Sequence, residues 1–119
     1  MEKRWYDRTI SLCIMEGYYF MEKNVSTERK LAMYKAILEL KNLEECCDFF
    51  DDLCTVTELR AMEQRFEVAS MLKHDKVYTE IMQATNASSA TISRVNRMLN
   101  YGKGCLGKIV DRVEEKERK

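Results

Sequence analysis

No proline occurs anywhere in the 119 residues, and glycine occurs only four times. Sandwiches and barrels turn back on themselves about every 8 to 12 residues and draw heavily on these two residue types for their corners. A chain so poor in both is expected to be all-α, with long helices joined by polar corners. The length suits one domain. Residues 1–24 carry Trp5, Tyr6, Tyr18, Tyr19 and Phe20 with weak periodicity, and they read as an N-terminal appendage to a domain over 25–119. Within that appendage, Met21 is an alternative initiator that would leave Met1 to Phe20 outside the protein.

Helical periodicity becomes strong from Ser26. Ser26 and Thr27 are N-cap candidates, and Leu31, Tyr34, Ile37 and Leu38 then gather on one helix face. Asn42 followed by Glu45 caps a second helix. Its stripe of Leu43, Cys46, Cys47, Phe50, Leu53 and Cys54 recurs at i, i+3, i+4 and i+7, and is expected to pack in the core. Thr55 and Glu58 form a capping box for a third helix that runs to about Lys73. A short helix then begins at Tyr78 and stops at Asn86, a residue that tolerates the left-handed conformation of a tight corner. Ser88 or Ser89 caps the next helix, which extends to Asn100 or Tyr101 before Gly102 and Gly104. A last amphipathic piece carries Leu106, Ile109, Val110 and Val113, and the charge run Glu114 to Lys119 reads as a frayed tail.

Basic and acidic residues number 20 each, so the whole chain has no global pull on a polyanion. Distribution says more. Between Glu39 and Glu67 nine carboxylates face only Lys41, Arg60 and Arg65, and the acids of the second helix read as a solvated face. Between Lys73 and Gly104 the bases Lys73, Lys76, Arg94, Arg97 and Lys103 outnumber Asp75 and Glu80, with His74 beside them. Nucleic acid would choose that stretch. The five cysteines show no metal-type spacing, which fits reduced thiols in a cytoplasmic protein, with Cys46, Cys47 and Cys54 acting as small core residues. The apolar run Thr9 to Met21 is broken by Glu16 and is too short to span a bilayer, so neither secretion nor a membrane partner is expected. A single histidine, with no Gly-rich phosphate loop and no metal motif, argues against an enzyme and against a cofactor.

The stretch from Tyr78 has the pattern of a helix-turn-helix. Ile81, Thr85, Ala87, Ile92 and Val95 fall where two helices must lock across a corner, while Ser88, Ser89, Ala90, Ser93, Arg94, Asn96 and Arg97 fall on the outer side. Small and hydroxylated residues at a helix N-terminus allow close approach to base edges, and the arginines suit phosphate or guanine. Thr91 and the first-turn amides suit a phosphate oxygen.

The strings FFDDLCTVTELRAMEQR and NASSATISRVNRMLNYG, within Leu43 to Gly102, resemble the Trp-repressor-like family, and within it the YerC/YecD branch of bacterial regulators. The likeness extends over roughly Ser26 to Val113. It implies an intertwined, all-helical homodimer that binds a palindromic operator in double-stranded DNA and acts as a transcriptional regulator, expected to be a repressor. It further implies that Ser88, Ser89, Ala90 and Ser93 face bases, that Thr79 makes a second base or phosphate contact, and that Thr91 meets phosphate. Lys73, His74, Lys76, Arg94 and Arg97 would supply charge. An effector pocket is implied around Thr55, Arg65 and Arg94. Where the family's tryptophan-binding member has a glycine after the arginine of the recognition helix, this chain has Val95, whose methyls would fill the space for an indole. No cofactor is expected and tryptophan is disfavoured as a corepressor; the alternatives left open are a different small metabolite and regulation by abundance alone. The alternative is a non-catalytic helical module that binds a protein partner, which would be expected to offer apolar anchors on that outer face.

Overall fold

The computed structural model describes residues 30–119. The appendage over residues 1–24, the initiator question at Met21, Cys13 and the capping candidates Ser26 and Thr27 lie outside the described residues. Six helices and no strand occur among those described: α1 (Ala32–Leu38), α2 (Leu43–Leu53), α3 (Val56–Lys73), α4 (Tyr78–Thr85), α5 (Ser89–Tyr101) and α6 (Cys105–Arg118). The fold class is all-α, as composition demanded.

The chain forms two compact units that divide at Cys46 and Cys47. In the first, α1 starts after Leu31 without a side-chain cap and buries none of its residues. Asn42 accepts the Glu45 amide at 2.8 Å and Glu45 accepts the Lys41 amide at 3.0 Å, which starts α2.

In the second unit, α3 is the central element, against which α4, α5 and α6 all pack, while α4 also packs on α5. Its start is the expected capping box: the Glu58 amide donates to Thr55 Oγ1 at 3.1 Å, and the Thr55 amide donates to Glu58 Oε1 at 2.8 Å. Those hydrogen bonds hold the Glu58 carboxyl below its ordinary pKa. The core is small and aliphatic. Val68 and Ala69 of α3, Ile81 of α4, Ala87 of the corner and Ile92 and Val95 of α5 are buried together, with Met71, Leu72, Leu99 and Leu106 packed against them.

Three expectations are corrected. The apolar stripe of α2 buries nothing: Leu43 is 79 % exposed, Cys47 is exposed and Cys46 and Cys54 are only half-buried. The helix is legible in the sequence, but none of its residues is fully buried, so the thiols are not core residues among the described residues. The segment Glu114 to Lys119 is not a frayed tail, because α6 continues to Arg118. Glu114 is fixed by Ser70, whose hydroxyl donates to it at 3.2 Å, and by His74, whose Nε2 lies 2.8 Å away. Asn96 does not join the outer face of α5; it is half-buried and accepts from Asn100 Nδ2 at 3.3 Å.

The His74 bond holds the Glu114 carboxyl below its ordinary pKa of 4.5, against a partial opposing effect of burial and of Asp111. A carboxylate depressed by folding stabilises the fold above its unfolded pKa and loses that contribution as pH falls through the folded value. Thermal midpoints of the parent and Glu114→Gln are therefore expected to differ above about pH 5 and to converge as the pH is lowered through 4 and below. Parallel curves across that range would exclude the effect.

Gly102 ends α5 with its backbone folded so that an added Cβ would collide with the Met98 carbonyl oxygen. That oxygen also accepts the Gly102 amide at 2.9 Å, so it cannot move without loosening the helix end. Gly102→Ala is expected to lower stability by about 1–3 kcal/mol, read as a shift in the denaturant midpoint.

Candidate nucleic-acid interface

The corner between α4 and α5 is closed by side chains as much as by backbone. Asn86 adopts the left-handed conformation at φ 65°, and its amide donates to the Met82 carbonyl at 2.9 Å. Thr85 Oγ1 donates to the Ile81 carbonyl at 2.8 Å and accepts the Ala87 amide at 3.1 Å. From α3, Gln64 Nε2 donates to the Thr85 carbonyl at 3.0 Å. The Ala87 amide and the Thr85 carbonyl would otherwise be unanswered polar groups at the helix end. The inward set expected from the sequence is confirmed: Ile81, Ala87, Ile92 and Val95 are buried and Thr85 is half-buried at the corner.

Ser88, not Ser89, is the N-cap of α5: its Oγ accepts the Thr91 amide at 3.1 Å and its hydroxyl donates to Thr91 Oγ1 at 3.1 Å. Thr91 Oγ1 thus accepts one hydrogen bond, and its own proton can be donated to an outside acceptor. Ser88, Ser89, Ala90, Ser93, Arg94 and Arg97 are exposed. Their exposure is the complement of the burial of Ile92 and Val95 on the same helix, so the outer face stands clear of the body. Thr79 is exposed in the first turn of α4, and Lys76 is exposed just before it.

The basic residues are not all on that face. Lys73 Nζ lies 3.1 Å from Asp111 and His74 lies 2.8 Å from Glu114, so both of these side chains are turned toward α6. No spacing in the sequence signals this, since the partners are 38 and 40 residues apart. Gln64 is the residue that sequence reasoning passed over. A glutamine within a helix looks like solvated surface, and the need for a donor at Thr85 becomes visible only once the corner is placed.

Between α3 and the first turns of α5 lies a cleft of about 270 Å³, lined by Ala61, Gln64, Arg65, Ala90, Thr91 and Arg94. It holds two guanidinium groups and no carboxylate, which suits an anion. Arg65 and Arg94 are brought together there, whereas Thr55 is at the N-cap of α3 and does not line the cleft. Val95 is fully buried in the core. Among the described residues no cluster of His, Cys, Asp and Glu could hold a metal, and no helix is long and apolar enough to cross a membrane.

The model of the family described as Trp repressor protein matches residues 29–114. The chain is 52 % identical over 85 residues to a Bacillus subtilis protein described as uncharacterized protein YerC, covering 71 % of this chain and 82 % of that one. It is similar to the crystal structure of a TrpR-like protein from Eubacterium eligens, with a TM-score of 0.70, 44 % identity, and 75 % of this chain and 95 % of that chain covered. A Staphylococcus aureus structure described as a candidate Trp repressor gives a TM-score of 0.71 at 45 % identity, over 76 % of this chain and 93 % of that chain.

Proposed function

The chain belongs to the Trp repressor protein family, and from that membership we propose that it is a sequence-specific DNA-binding transcriptional regulator that acts as a homodimeric repressor on a palindromic operator. One observation carries the reading: α5 buries Ile92 and Val95 and leaves Ser89, Ala90, Ser93, Arg94 and Arg97 exposed on a helix whose N-terminus is capped and open. In this reading Ser88, Ser89, Ala90 and Ser93 meet base edges in the major groove, and Thr79 adds a contact from α4. The free proton of the Thr91 hydroxyl goes to a phosphate oxygen, and Lys76, Arg94 and Arg97 neutralise phosphates. Lys73 and His74 contribute less, because Asp111 and Glu114 already hold them.

The homodimer is supported by the large apolar side chains exposed among the described residues. Leu38 is 82 % exposed, and Leu31, Leu43, Leu53, Val56 and Phe66 are exposed as well. Side chains of this size in such number call for a partner surface of the same character. Two-fold pairing sets the recognition helices about 34 Å apart, one DNA turn. The two arginines that line the α3–α5 cleft support a small anionic metabolite as its ligand, and the buried Val95, where the tryptophan-binding relative has glycine, argues against tryptophan.

Selection of bound fragments from the source genome tests the reading. The expected consensus is an inverted repeat with half-sites centred about 10 bp apart. A recovered pool without a shared sequence would exclude sequence-specific binding, and a direct repeat or lone half-site would exclude the two-fold arrangement.

A further inference from the structure

We propose that Gln64 of α3 is the positioning residue that sets the pose of the recognition helix α5, a role that rests on the DNA-binding reading above. Its Nε2 donates to the carbonyl of Thr85, the last residue of α4, at 3.0 Å across 21 residues of sequence. Asn86 turns left-handed immediately afterwards, so no amide of α4 can reach that carbonyl, and α5 begins only three residues on. A bond at this atom therefore fixes the pivot about which α5 swings. Because the partner is a carbonyl oxygen, it also settles which end of the Gln64 amide faces the corner.

The packing of the corner leaves this bond with work to do. Ile81, Ala87, Ile92 and Val95 hold the two helices together through apolar contact, which is tolerant of small rotations. A hydrogen bond is directional and penalises them. Base-edge recognition needs sub-ångström placement, so specific binding depends on the bond more than phosphate attraction does. Gln64 also lines the cleft with Arg65, Thr91 and Arg94. The amide has a second N–H and an acceptor oxygen beyond the bond to Thr85, which places it between that cleft and the corner.

The test uses the full chain, with Gln64→Met, which is uncharged, of similar length and without a donor. Affinity is measured on the selected operator and on a scrambled duplex of equal length. The expected result is an operator affinity about 10-fold lower, with affinity for the scrambled duplex unchanged within about twofold, since no charge is lost. Loss of both in equal proportion, or of neither, overturns the proposal. Hydrogen exchange gives a reading independent of DNA: amides of residues 86–91 are expected to exchange at least about 10-fold faster in Gln64→Met, while those of α6 keep the parent rate. Gln64→Glu retains the shape but has no proton to donate at neutral pH, and it is expected to give the same exchange pattern. Parent-like exchange at 86–91 in both variants overturns the proposal whatever the DNA result. A parent protein that selects no operator sinks the DNA-binding reading instead, and the exchange pattern still decides whether Gln64 holds the corner.

Discussion

Replacing Arg94 and Arg97 together by alanine is expected to lower affinity for duplex DNA roughly 30- to 100-fold near 0.1 M salt, and to reduce the salt slope by about two. Both side chains are exposed on the outer side of α5, so their loss removes charge without opening the core. The thermal midpoint is expected to stay close to that of the parent. Each phosphate contact releases about one counterion, and affinity on operator and scrambled duplexes is expected to fall together to the extent that the arginines touch backbone rather than guanine. A salt slope identical to the parent's would place both arginines away from the duplex. The companion change, Ser89→Ala with Ser93→Ala, is expected to leave the slope alone and alter the ranking of operator variants.

The second large effect is on stability. Ile92 is fully buried between α3 and α4, and Ile92→Ala is expected to cost about 2–5 kcal/mol. A domain of this size has a total stability of about 5–15 kcal/mol, so the change takes a large fraction of it. Chemical denaturation is the check. A cost below about 1 kcal/mol would show that the small core collapses around the gap without strain. Because the cluster draws on α3, α4, the corner and α5 alike, the variant is expected to loosen the whole head and not the recognition helix alone.

Local chemistry was legible in the sequence and long-range pairing was not. The Thr55–Glu58 box, the Asn86 corner, the start of α4 at Tyr78 and the inward set Ile81, Ala87, Ile92 and Val95 are all written within a few residues of one another, and each is realised. The stripe of α2 forms a helix face but no core among the described residues, because periodicity reports that a face is apolar and not what covers it. Lys73 and His74 looked like part of a basic surface until α6 brought Asp111 and Glu114 alongside. The same contacts explain why a highly charged terminus stays helical. The helix-turn-helix pattern puts Asn96 on the outer side, but the groove it shares with Leu72, Leu99 and Gly107 shows that α3 and α6 claim that side.

The division of labour along α5 has a bearing on how such a molecule changes over generations. Positions 92 and 95 are buried in the core of the head, while 89, 90, 93 and 97 are exposed. On the proposed DNA-binding reading, substitutions at the second set retune target preference at little cost in folding, so new binding specificities are reachable by single steps through viable intermediates. Descendants of a duplicated copy could thus diverge in what they read long before they diverge in architecture.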